Sequence, residues 1–157
     1  MQKIIPCLWF NNQAEEAARF YTTIFKNSKL DQISYFGDAG PGPKGTVLTV
    51  TFELNGQEIM ALNGGPEYKF TPAISMFVNC EDQEEVDNYW EKLSEGGQKG
   101  QCGWLTDRYG VSWQIVPTIL GILIGDKDER KAARVMQAML QMTKLDINVL
   151  QKAYRES

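Results

Sequence analysis

Residues 3–10 (KIIPCLWF) form an apolar, β-favouring run. Over residues 13–25 (QAEEAARFYTTIF) the period changes, with Ala17, Phe20, Tyr21 and Ile24 returning at helical spacing. The pattern predicts a strand followed by an amphipathic helix. Three more strands are predicted at 29–36, 45–54 and 57–62, and Asn55-Gly56 between the last two is the signal of a two-residue hairpin turn. The first half thus reads β-α-β-β-β.

The same order restarts at residues 72–80 (PAISMFVNC), followed by a helix over 83–93 that Gly96-Gly97 ends. Short strands follow at 99–105 and 111–116, separated by the turn Asp107-Arg108-Tyr109-Gly110. Phe10-Asn11 matches Val78-Asn79; Glu15-Glu16, Phe20 and Tyr21 match Glu84-Glu85, Tyr89 and Trp90 after one insertion. A strand ending in Asn, then Glu-Glu, then an aromatic pair argues for an internal repeat. From residue 118 the pattern turns helical: an apolar turn through Ile119, Leu120, Ile122 and Leu123, then 128–142, then 147–154. Asp146 is placed to cap the last helix, with Leu145 and Leu150 as its hydrophobic staple. The expectation is one α+β domain of 157 residues, with modules at 1–66 and 70–117 and a helical tail at 118–157.

Composition narrows the chemistry. With 43% hydrophobic residues the chain can bury a substantial core. Sixteen Lys and Arg against twenty Asp and Glu leave a net charge of -4 with both signs scattered, which argues against a nucleic-acid partner. No apolar run approaches the roughly 20 residues that cross a bilayer, and the N-terminus lacks a signal-peptide pattern, so a cytoplasmic protein without a membrane partner is expected. Cys7, Cys80 and Cys102 are odd in number and scattered, and read as reduced thiols. The chain has no histidine. That removes the common general base, the Ser-His and Cys-His pairs and most transition-metal sites.

Five segments, PCLWF at 6–10, EEAARFY at 15–21, MALNGGP at 60–66, EEVDNYWEKLSEGG at 84–97 and QCGWLTDRYGVSWQIVP at 101–117, together resemble the PhnB-like branch of the glyoxalase, bleomycin-resistance and dioxygenase (vicinal oxygen chelate) superfamily. That branch often carries the label demethylubiquinone methyltransferase-like. The resemblance implies tandem βαβββ modules whose strands curve into a cup-like mixed sheet, here with a C-terminal helical extension, commonly paired with a second subunit. It also implies metal ligands, in the metal-dependent members, at strand positions that fall near Ile5, Asn63, Ala73 and Gln114. Two apolar residues and two amides do not replace His and Glu donors, so no metal and no other cofactor is expected.

Strand alternation selects the candidate lining of such a cup. Cys7 and Trp9 come from the first strand, Thr49 and Thr51 from the third, and Asn63, beside Ala61, from the fourth. The second module contributes Ser75, Phe77, Trp104, Ser112 and Gln114. Small neutral polar groups among aromatics suit a small, partly apolar organic ligand. Most of these have a structural alternative: Cys7 as a small buried apolar residue, Trp9 and Trp113 as core, Asn63 as turn chemistry before Gly64-Gly65. The acidic pairs Glu15-Glu16 and Glu84-Glu85 suit helix N-termini, and the Gly-Pro loop at 37–45 suits a pocket rim or a hairpin connection. No catalytic group stands out. The leading expectation is a metal-independent small-molecule-binding protein. The alternatives are a superfamily enzyme acting on a dicarbonyl, quinone or phosphonate-related substrate, using groups such as Gln114, Asn63 or Tyr109, and a structural dimer with a vestigial pocket. Val135, Met136, Met139, Leu140 and Met142 put a broad apolar surface on the tail that suits packing in cis or on a partner, and a homodimer is expected.

Overall fold

The computed structural model describes residues 2–156. It divides into two compact units, 1–70 and 71–157.

In the first unit β1 (Cys7–Phe10) leads into α1 (Ala14–Ile24), followed by β2 (Lys29–Tyr35), β3 (Val47–Leu54) and β4 (Gln57–Asn63). The strands form one sheet in the order β1-β4-β3-β2, with β1 parallel to β4 and the other pairs antiparallel. Residues 3–6, expected within the first strand, lie ahead of it. The Asn55-Gly56 turn takes left-handed backbone at both residues (φ 48° and 85°), as its hairpin requires, and pairs Leu54 with Gln57. One face of the sheet is covered by α1. There Leu8, Phe10, Val50, Phe52, Ile59 and Ala61 are buried with Ala17, Tyr21 and Ile24 of the helix. The opposite face carries Cys7, Trp9, Thr49, Thr51, Met60 and Leu62, which the register brings side by side.

The second unit repeats the plan: β5 (Met76–Cys80), α2 (Gln83–Ser94), β6 (Gln98–Lys99), β7 (Trp104–Thr106) and β8 (Ser112–Pro117), in the sheet order β5-β8-β7-β6 with β5 parallel to β8. The strand expected over 99–105 is in fact two. Gly100 to Gly103 turn the chain, with Cys102 and Gly103 at φ 57° and 85°, and this break completes the β-α-β-β-β order. Val86, Trp90 and Leu93 of α2 are buried, as are Leu105, Trp113 and Ile115 on one face of the sheet. Trp90 thus has the same role in its module that Tyr21 has in the first. Asp82 caps α2 by accepting from the Glu85 amide, and the Glu85 carboxylate accepts from the Glu81 amide at 2.8 Å, reaching back beyond the cap residue. The 107–113 segment is held by one carboxylate: Asp107 accepts from the amides of Tyr109 and Val111 and from the Trp113 indole, all within 3.0 Å.

The tail belongs to the second unit. Its helices α3 (Thr118–Ile124), α4 (Glu129–Leu140) and α5 (Ile147–Arg155) gather Leu120, Leu123, Val135, Leu145 and Leu150 around Val116 of β8 in a buried cluster. Met139 and Met142 pack against it, whereas Met136 and Leu140 stay exposed. Asp146 caps α5 through the Val149 amide, and the staple partners Leu145 and Leu150 are both fully buried. Among the described residues no helix is long and apolar enough to cross a membrane.

Candidate functional site

On β8, Gln114 pairs with Phe77 of β5 on one side and Trp104 of β7 on the other, so the three side chains share the face opposite Trp113 and Ile115. Ser75, in the segment before β5, accepts a hydrogen bond from the Gln114 amide nitrogen at 3.0 Å, which fixes the orientation of that amide. Two residues further along the same face, Val116 enters the tail cluster. Where the tail's cover gives way, a hollow of about 300 Å3 opens over Phe77, Asn79, Trp104 and Gln114, walled by Leu120, Gly121 and Ile124 of α3 and Met139 of α4. Phe77 is 54% exposed, a large apolar surface for an aromatic side chain on a sheet. Cys102 also reaches this hollow, from the turn that splits the expected strand.

The structure therefore brings together Ser75, Phe77, Trp104 and Gln114. Ser112 lies two residues before Gln114 on the same strand, almost fully buried. On the first module, Cys7, Trp9, Thr49 and Thr51 share the face away from α1. Thr49 shares a hydroxyl hydrogen bond with Ser34, and the Thr51 hydroxyl accepts from the Gln32 amide. The Trp9 indole donates to the Gly65 carbonyl at 3.0 Å and meets Tyr68 edge-on at 5.0 Å. Gly64 is required beside that ring, because a Cβ there would lie 2.4 Å from it. Cys7 is exposed, but partial desolvation holds its thiol above the ordinary range, the opposite of an activated nucleophile.

Asn63 is placed differently from the expectation. The register that pairs Thr49 with Leu62 and Thr51 with Met60 turns Ala61 and Asn63 to the helix side. There the Asn63 carbonyl accepts from the Ala14 amide at 2.9 Å and its NH2 group donates to the Val47 carbonyl at 3.0 Å. Gln13, at the start of α1, offers no side-chain cap, and Asn63 caps the helix from a distant strand. A second hollow, about 400 Å3, lies beside it, lined by Asn11, Asn12 and the 41–43 segment. That loop is both connection and rim. Phe36 closes it, its amide donating to the Thr46 carbonyl and its carbonyl accepting from the Gly45 amide, and Gly40 and Gly42 approach the Phe36 ring so closely that a Cβ at either would fall within 2.7 Å of it.

The four positions that match the family's metal ligands do not form a donor set. Ile5 and Ala73 precede their strands, Asn63 turns to the helix, and Gln114 alone stays on the open face. Among the described residues no three His, Cys, Asp or Glu side chains converge. None of the four carries the imidazole or carboxylate donor that a divalent transition metal takes at such positions.

Paired βαβββ modules of this topology are the glyoxalase-like fold of the vicinal oxygen chelate superfamily. The chain belongs to the family described as 3-demethylubiquinone-9 3-methyltransferase, whose family model matches residues 2–116. Among solved structures it is similar to the PhnB protein from Bacillus cereus, at 42% identity over 74% of this chain and 100% of that one, with a TM-score of 0.69. It shares its fold with protein PA1353 from Pseudomonas aeruginosa (23% identity, 74% of this chain and 98% of that one, TM-score 0.62). The same is true of the fosfomycin resistance protein FosX from Listeria monocytogenes (16% identity, 83% and 98%, TM-score 0.50). No curated protein matches the chain.

Proposed function

We propose that this chain is a metal-independent small-molecule-binding member of its family, whose ligand is a small, partly apolar organic compound. The observation that carries the reading is the convergence of Phe77, Trp104 and an amide held by Ser75 on one unfilled hollow. Aromatic faces supply apolar contact, and the oriented Gln114 amide supplies a directional hydrogen bond. The methyl-transfer name of the family does not bring a donor site with it. A Rossmann-type site needs a glycine-rich turn between strand and helix in a parallel sheet. Here the β1–α1 and β5–α2 connections contain no glycine, and each sheet has a single parallel pair. Fosfomycin resistance belongs to a neighbour that shares the fold alone.

Thermal-shift screening of the full chain against aromatic and quinone-like compounds tests the proposal. Concentration-dependent stabilisation by some of them, lost in Gln114→Leu or Trp104→Ala, is the expected result. Stabilisation by none abandons it.

A further inference from the structure

The family model ends at residue 116, yet the hollow does not. Its floor is made of family strands and its wall of helices beyond them. We propose that the C-terminal extension is part of the ligand site and sets its selectivity, closing the open face of the second module into a pocket for neutral, ring-sized compounds. This rests on the proposed small-molecule function and adds the ligand class and the element that selects it.

Three observations support it. First, the wall is fixed in place. The amides of Cys102 and Gly103 donate to the carbonyls of Met142 and Thr143, both at 2.8 Å, so the turn leading into Trp104 is bonded directly to the tail. Gln83 clips the same segment from α2, donating to the Leu145 carbonyl and accepting from the Ile147 amide, and Lys144 pairs with Asp87 at 2.9 Å. Second, no Asp, Glu, Lys or Arg is among the residues that line the hollow. Its polar groups are neutral: the amides of Asn79 and Gln114 and the Thr118 hydroxyl. An ionised ligand would lose its hydration with no counter-charge to meet it, whereas a neutral hydroxyl or carbonyl finds both donors and acceptors. A phosphonate or carboxylate is disfavoured on the same ground. Third, Gly121 leaves room. A Cβ at this wall position meets no atom within 4 Å. The volume of about 300 Å3 is at the small end of ligand pockets, suited to one or two fused rings.

The test is an NMR titration of the isotope-labelled full chain with two near-isosteric probes, 1-naphthol and 1-naphthoate, at neutral pH. Wild type is expected to bind naphthol with shifts at Phe77, Trp104, Gln114 and the 118–124 helix, and naphthoate at least about tenfold more weakly. Gly121→Phe should weaken naphthol by about tenfold or more, with Gly121→Leu giving a smaller loss. Ile122→Phe, at an exposed position outside the lining, should stay within about twofold of wild type. The dispersed spectrum of each variant reports its folding, and Gly121→Leu carries the reading if the phenylalanine variant fails to fold. Naphthol binding unaffected by either bulky substitution, or with shifts confined to residues 2–70, overturns the inference while leaving a small-molecule function standing. Naphthoate binding in the hollow as tightly as naphthol overturns the neutral class. Shifts with neither probe overturn both.

Discussion

Asn63 shows what a buried amide does in this molecule. It satisfies an orphan amide at the start of α1 and a carbonyl at the start of β3 at once. Asn63→Ala is therefore expected to lower stability by about 1–3 kcal/mol in denaturant unfolding while leaving ligand affinity at the second module unchanged. Unchanged stability with lost binding would reverse that assignment. Cys80 gives a second prediction. Burial, with Glu85 and Asp82 nearby, pushes its thiol up to about 12 from an ordinary value near 9. The folded state holds this proton more tightly than the unfolded chain, so the contribution is fully present below about 9 and is lost as pH rises from there toward 12. Urea unfolding at a series of alkaline pH values should show that decline, and Cys80→Ala should flatten it. Glycines divide by their surroundings. At Gly97 a Cβ would fall 2.1 Å from the Thr106 carbonyl oxygen, so Gly97→Ala should be severely destabilising. Gly121→Ala, in open space on a helix, should raise stability by roughly 0.5–1 kcal/mol. Thermal unfolding of the pair checks both signs.

At the scale of elements, what the sequence makes legible is what local chemistry fixes. Period, the Asn55-Gly56 turn, the cap at Asp146 and the Leu145–Leu150 staple all lie within a few residues of the structure they specify. The side to which Asn63 points was also available from the sequence. A two-residue turn that pairs Leu54 with Gln57 obliges Thr49 to pair with Leu62, and parity then sends Asn63 to the helix. Assigning alternation strand by strand, without carrying the register through the turn, puts it on the wrong face. The split of the 99–105 strand is harder to read, because Cys102 adopts a left-handed conformation in which the nearby tail accepts its amide hydrogen. Gln83 acts over a similar sequence distance. Replacing it with Ala removes both hydrogen bonds to the tail and should speed amide exchange at residues 145–150 by about five- to tenfold while the β8 amides stay protected.

Across the whole chain, the repeat and the family were legible because each module writes the same order of elements, and the structure gives each its own four-stranded sheet of the same topology. The tail was legible as helices but not as to its destination, since an apolar face looks the same whatever covers it. Val116 settles that for the second unit by gathering the tail's buried leucines onto β8. The sequence also pointed to Phe77, Trp104 and Gln114 as one lining, but gave no sign of Gly121, Ile124 or Met139, which reach the hollow through tertiary packing.

The most direct test of metal-independent binding is to titrate the stabilising compound into the chain stripped with a chelator, then repeat with zinc, nickel or manganese added. The same affinity in every case, with no metal retained stoichiometrically after dialysis, is the predicted result. Binding that appears only once a divalent ion is restored would contradict the account.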